Sequence, residues 1–274
     1  MPLDCRKALF FPKVIMLSHR RRFIAAMAAA ALARPGHADP ARVEYIPYPP
    51  GVPRVGADPD YAEPAGIGDT LFLDHGGQRR QVRVYVPQGD SGPRRSILLL
   101  HGAGRTGRSM LDMWRAAADR GNVVLIAPDA LDQGWSPETD PPDLLIAALN
   151  AAAGRADLAP DGVAMFGHSS GGMLAQLYAN RLPGPWRSVA THGAALPADA
   201  VQAPAAASVP MRLYVGAGDH LLPPARARAT TEALAAAGHP ADMIAIAGHT
   251  HWYYAIGPWL AEDCLDWMAG HGLG

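Results

Sequence analysis

Lysine is almost missing from this chain. Lys7 and Lys13 are its two lysines, and the 261 residues after them contain none. That excludes from the body any chemistry built on an amine: Schiff-base and pyridoxal-phosphate catalysis, and the phosphate-gripping lysine of a P-loop. Cysteine is as scarce. Cys5 and Cys264 are too few and too far apart for a disulfide framework, and Cys264 is predicted to lie buried in a helix. Positive charge runs short beyond the N-terminal segment, since residues 39–274 hold 17 basic against 24 acidic side chains. A body this acidic has no global attraction for phosphate backbones, so nucleic acid is not an expected partner. The apolar run from Ile24 to Ala33 is too short to span a bilayer as a mature helix.

What is present suits a globular protein. The 274 residues are 49% apolar, enough chain to bury a large core. Residues 1–38 read as an export signal. Arg20-Arg21-Arg22-Phe23-Ile24 precede the Ala-rich run, and small residues follow up to Ala38. Arg-Arg-x-Phe resembles the twin-arginine signal of bacterial export, with cleavage expected after Ala38 or Ala33 and Met16 as an alternative start. The protein is therefore expected to be exported, periplasmic or secreted. Residues 39–78 are rich in Pro and Gly and read as an extended lead-in. Residues 79–274 form the expected single domain.

Within that domain apolar runs alternate with helical patterns. Strands are predicted at Gln81–Val86, Ser96–Leu100, Asn122–Ala127, Gly162–Phe166, Ser188–Thr191, Met211–Val215 and Asp242–Ala247. Helices are predicted at Ser109–Arg120, Asp143–Ala153, Gly171–Leu182, Ala225–Ala237 and Pro258–Met268. Runs such as Ile97-Leu98-Leu99-Leu100 are apolar on both faces, as in a mostly parallel sheet covered by helices on each side. The fold class is α/β.

In such a sheet the chemistry gathers after the carboxyl ends of the strands, and four of these loops stand out. After Phe166 comes Gly167-His168-Ser169-Ser170-Gly171, a G-x-S-x-G turn between strand and helix that makes Ser169 the candidate nucleophile. After Leu100, His101-Gly102-Ala103-Gly104 matches an oxyanion loop. It predicts that the main-chain N–H groups of Ala103 and Ser170 face a substrate oxygen. The same loop also fits G-x-G-x-x-G through Gly102, Gly104 and Gly107, with Asp129 as the ribose-binding acid of a dinucleotide site. After Val215, Asp219 is the acid found at the carboxyl end of a strand, the position a histidine-orienting carboxylate needs. After Ala247, Gly248-His249-Thr250-His251 supplies two candidate bases, in the chain order Ser, Asp, His. His-x-His could also be half a metal site, but no further ligands with suitable spacing stand out, and no metal is expected.

Together these loops resemble the α/β-hydrolase superfamily, and within it the esterase D and polyhydroxybutyrate-depolymerase-like esterases. The likeness covers about residues 79–270. Its carriers are Arg83-Val84-Tyr85-Val86-Pro87, His101–Gly104, Ala127-Pro128-Asp129-Ala130, Gly167–Met173, Gly218-Asp219 and Gly248–Tyr254. In esterase D-like proteins the catalytic histidine precedes a small residue and two tyrosines. That implies His251 as base, although Trp252 replaces the small residue, and leaves His249 as the alternative. The resemblance implies an α/β-hydrolase fold, no cofactor, and a Ser169–Asp219–His251 serine esterase working through an acyl-enzyme. Polymer-degrading members add a binding domain and disulfides, so a small soluble ester is the expected substrate. Trp114, Trp135, Trp252 and Tyr253 are candidate pocket residues, and Leu131–Pro142 a candidate rim. A peptidase or amidase would use the same residues. A dinucleotide-dependent oxidoreductase and a non-catalytic binding protein on this fold are the readings from other classes.

Overall fold

The computed structural model describes residues 41–54, 61–89, 92–204 and 207–273, so the expected export signal lies outside the described residues. Nine strands form one sheet. They are β1 Arg42–Ile46, β2 Asp69–His75, β3 Gln78–Tyr85, β4 Arg94–Leu100, β5 Val124–Pro128, β6 Leu158–His168, β7 Trp186–His192, β8 Met211–Gly216 and β9 Ala241–Ile246. The helices are α1 Gly107–Gly121, α2 Pro142–Ala152, α3 Ser170–Arg181, α4 Pro224–Ala236 and α5 Gly257–Met268.

The strand order is β1-β9-β8-β7-β6-β4-β5-β3-β2. β3 runs antiparallel to both β2 and β5, and the other pairings are parallel. Side chains alternate between the two faces of each strand, and both faces are covered, which is why β4 is apolar from Ile97 to Leu100. Leu98 and Leu100 enter a core closed by α2, α3 and α4, while Ile97 and Leu99 enter a second core closed by α1 and α5. All four are fully buried. Each such side chain is worth roughly 1.5–3 kcal/mol relative to exposure. Cys264 is buried in the second core, on α5.

The lead-in assignment for 39–78 needs correction. β1 and β2 lie in that stretch and belong to the same sheet, so the domain does not start at residue 79. β1 is an edge strand whose partner, β9, lies some 200 residues away, in the register Arg42↔Asp242. Its half-buried pattern carries no strong alternation. β2 was legible in principle: Leu71 and Leu73 alternate with exposed neighbours, and Gly76-Gly77, both at positive φ, close a hairpin into β3.

The order of strands positions the site. The chain passes from β4 to β5 on one side and later returns to β6 on the other. The carboxyl ends of β4 and β6 therefore flank the point where the strand order reverses, the place where such sheets leave a crevice.

Candidate active site

Ser169 follows β6 and precedes α3 with φ 50° and ψ −119°, a strained conformation for a residue with a side chain. Its N–H donates to the His192 carbonyl at 2.9 Å. Gly171 permits the turn: a Cβ there would lie 2.4 Å from the Leu100 carbonyl oxygen, so only glycine lets α3 begin against the end of β4.

Three predicted residues meet. The Ser169 hydroxyl donates to His251 Nε2 at 3.0 Å, and His251 Nδ1 donates to Asp219 Oδ2 at 2.8 Å. The second Asp219 oxygen accepts the N–H groups of Leu221 and Leu222 at 2.9 and 2.8 Å. Burial alone would raise the Asp219 carboxyl, but the His251 hydrogen bond and these two N–H groups outweigh it and hold the group below its ordinary value. His251 fits because of Gly193, at φ 57°, directly after β7. A Cβ there would sit 2.8 Å from His251 Cε1.

His249 is not within reach of the serine. Its Nε2 pairs with His192 Nε2 at 2.9 Å, on the inner side of the loop. Burial holds His249 down at about 4 and His168 at about 3, and pushes His192 well below the usual histidine range.

Ala103 lies three residues after β4, in the loop that leads to α1, and Ser170 opens α3. Among the described residues neither N–H enters a backbone hydrogen bond, whereas the next one, Gly104 N–H, donates to Gln133 O at 2.6 Å. His101 braces this loop. Its Nδ1–H donates to the Gly102 carbonyl at 2.8 Å and its Nε2 accepts the Ala130 N–H at 3.0 Å. Burial lowers the His101 pKa, in keeping with that neutral form.

Asp129 is committed inside the protein. Its carboxylate accepts the Gly107 N–H at 2.7 Å and pairs with Arg83 at 3.0 Å, so it does not stand free for a ribose. The third glycine of G-x-G-x-x-G thus serves an internal bond, against the dinucleotide reading.

The tryptophans divide. Trp114 is fully buried against Phe166 at 5.0 Å between rings, and Tyr253 is fully buried as well. Both are core residues with no surface to offer a substrate, because α1 and the 253–255 turn carry them under the sheet. Trp135 is nearly buried and its indole donates to the His101 carbonyl at 2.9 Å, fastening the 131–141 loop to the loop after β4. Trp252 stays half-buried beside Tyr254 and Arg105.

Several residues here escaped the sequence reading. Asp140, fully buried, pairs with Arg80 and accepts the N–H groups of Leu131 and Ser136 at 3.1 and 3.2 Å, so it organises the whole 131–141 loop. Glu63 accepts the N–H and hydroxyl of Thr106 at 2.8 and 2.7 Å. His192-Gly193 carried a signal, since it follows a predicted strand as the other site loops do. Glu63 and Asp140 carried none.

A mostly parallel sheet covered by helices on both faces, with a serine at a strained strand-to-helix turn facing a histidine and a buried carboxylate on neighbouring strand-end loops, is an α/β-hydrolase fold. Residues 83–258 match the Dienelactone hydrolase family, and the chain belongs to it. A lactone is a cyclic carboxylic ester, so the family's description points to the hydrolysis of carboxylic esters. The chain is 28% identical over 162 residues to a putative esterase, NocK, from Nocardia uniformis subsp. tsuyamanensis. That match covers 54% of this chain and 47% of the relative, so the chain spans about half the length of the curated relative it matches. In structure it is similar to LpqC, a poly(3-hydroxybutyrate) depolymerase from Bordetella parapertussis, with TM-score 0.56 and 21% identity over 76% of this chain and 92% of that one. It is also similar to an esterase from Thermogutta terrifontis, with TM-score 0.62 and 14% identity over 75% and 95% of the two chains. At these identities the structural likeness speaks to fold.

Proposed function

We propose that this protein hydrolyses small soluble carboxylic esters through an acyl-enzyme on Ser169. One observation carries the reading: the unbroken hydrogen-bonded row from the Ser169 hydroxyl through His251 to buried Asp219, at 3.0 and 2.8 Å. His251 Nε2 takes the hydroxyl proton as Ser169 Oγ attacks the ester carbonyl. Asp219 holds the proton of His251 on Nδ1, which leaves Nε2 free to accept, and stabilises the imidazolium that forms. The N–H groups of Ala103 and Ser170 receive the oxyanion, and losing one such donor typically costs about 10²–10³ in rate. His251 then protonates the leaving alcohol, and water cleaves the acyl-enzyme by the same path. No cofactor enters these steps. Half-buried Trp252 and the loop pinned by Asp140 would border the substrate. The proposal includes export of the mature chain through the signal at residues 1–38, which N-terminal sequencing of the periplasmic protein would test.

The test is hydrolysis of short p-nitrophenyl esters together with fluorophosphonate labelling and peptide mapping. The expected result is an adduct on Ser169, lost in Ser169→Ala along with hydrolysis. A folded wild-type protein that neither labels nor hydrolyses would overturn the reading. An adduct that survives His251→Ala but not His249→Ala would reassign the base.

A further inference from the structure

Three buried histidines beside the site are unused by this mechanism. His168 ends β6 and His192 ends β7, and the register sets them side by side. His249 lies two residues before His251. His168 Nδ1 contacts the His192 carbonyl at 3.2 Å and His192 Nδ1 at 3.2 Å, and His192 Nε2 contacts His249 Nε2 at 2.9 Å.

The carbonyl decides where the protons lie. A carbonyl only accepts, so His168 must carry its proton on Nδ1. His192 Nδ1 must then accept, which puts the His192 proton on Nε2 as donor to His249. His249 Nε2 accepts, and its own proton sits on Nδ1. A single main-chain group fixes three tautomers.

Each member also adjoins the machinery. His168 precedes Ser169 in the chain. The His192 carbonyl holds the Ser169 N–H at 2.9 Å, and Gly193, which follows it, lies against the His251 ring. The His168 ring is 5.2 Å from that of His251. Asp219 and His251 face the row as charged or titratable groups, with Tyr48 against His249 and Tyr253 and Tyr254 against His168.

We propose that His168, His192 and His249 form a neutral positioning row that ties the His251 loop to the Ser169 turn. The inference rests on the proposed roles of Ser169 and His251. The bond from His192 to His249 is the tie, because it joins the loop after β9 to the end of β7, on which both Ser169 and His251 lean.

The tautomer order makes the tie testable, since residue 249 must accept. Gln can accept through Oε1, whereas Leu cannot. His249→Leu is expected to lower kcat about 10-fold to 10²-fold by misplacing His251, with KM changed by less than about twofold. His249→Gln is expected to restore kcat to within about threefold of wild type. Nitrogen-15 spectra of the wild-type histidines, assigned by single substitution, should show Nδ1–H for His168 and His249 and Nε2–H for His192. Equal kcat in His249→Leu and wild type, equal loss in Leu and Gln, or any other tautomer order would overturn the row. If His249→Leu fails to fold, His192→Phe breaks the same bond from the other side and is expected to show the same kcat loss. Ser169→Ala run in parallel separates the two failures. Hydrolysis that survives it sinks the site reading, whereas hydrolysis that is lost while His249→Leu matches wild type sinks the row alone.

Discussion

Gly193→Ala probes the seat of the proposed base from a residue that takes no part in the chemistry. The added Cβ would stand 2.8 Å from His251 Cε1 and 2.9 Å from Nδ1. Carbon atoms rest about 3.5–4.0 Å apart, so the imidazole must retreat by about 1 Å. That draws Nε2 away from a hydroxyl now at 3.0 Å and toward the end of hydrogen-bonding range. A misplacement of this size can cost about 10²-fold in rate. The backbone adds a second effect, because φ 57° costs a residue with a Cβ roughly 1–2 kcal/mol. For a domain of this size each kcal/mol lowers Tm by about 2–4 °C. The assay pairs kcat/KM on a p-nitrophenyl ester with a thermal melt. Gly193→Asn separates the two effects, since asparagine tolerates left-handed backbone but carries the same Cβ. It should keep more of the Tm while losing the same activity. If both variants melt lower yet keep kcat/KM within about threefold, the argument that Gly193 seats the imidazole is wrong.

Three further outcomes are expected. Asp219→Asn should keep the fold and lower kcat by about 10⁴ with KM little changed, because the amide no longer enforces the Nδ1–H form; steady-state kinetics will show it. Stability should fall on acidification from pH 6.5 toward about 4. His249 at about 4 and His168 at about 3 stay neutral when folded, while the unfolded chain takes up a proton at each near its ordinary value. Each such proton contributes a slope of about 1.4 kcal/mol per pH unit, readable in urea titrations, and a flat profile would contradict the burial argument. Asp219 adds to the loss only at lower pH: its depressed carboxylate stabilises the fold above the unfolded carboxyl value, and that is lost as pH falls through the folded one. Asp140→Ala leaves the Arg80 guanidinium buried without its carboxylate and should cost about 3–5 kcal/mol by denaturant melting.

The local chemistry of the site could be read along the chain because each part has a local cause. A strained turn needs small residues around Ser169, a strand buried on both faces needs an unbroken apolar run, and the carboxyl ends of such strands are where loops can carry reactive groups. Ser169, Asp219 and the pair His249/His251 follow from that reasoning, as do the parallel core strands and the helices between them. The edges of the sheet did not follow: β1 is half-exposed without clear alternation, and β2, though it alternates, follows a stretch rich in Pro and Gly that reads as an extended lead-in.

The choice between two histidines separated by one residue belonged to tertiary structure. Either could have faced Ser169, until Gly193, directly after β7, opened space for one ring and the His192 nitrogen bound the other. The same holds for Trp114, a pocket candidate by composition and a core residue by position, and for Asp129, claimed by Arg83 from a neighbouring strand. Sequence determined which reactive groups stand at strand ends, because turn and strand geometry are local. Which of them meet was decided by the register of strands far apart in the chain, because contacts of a few ångströms depend on packing that no local pattern encodes.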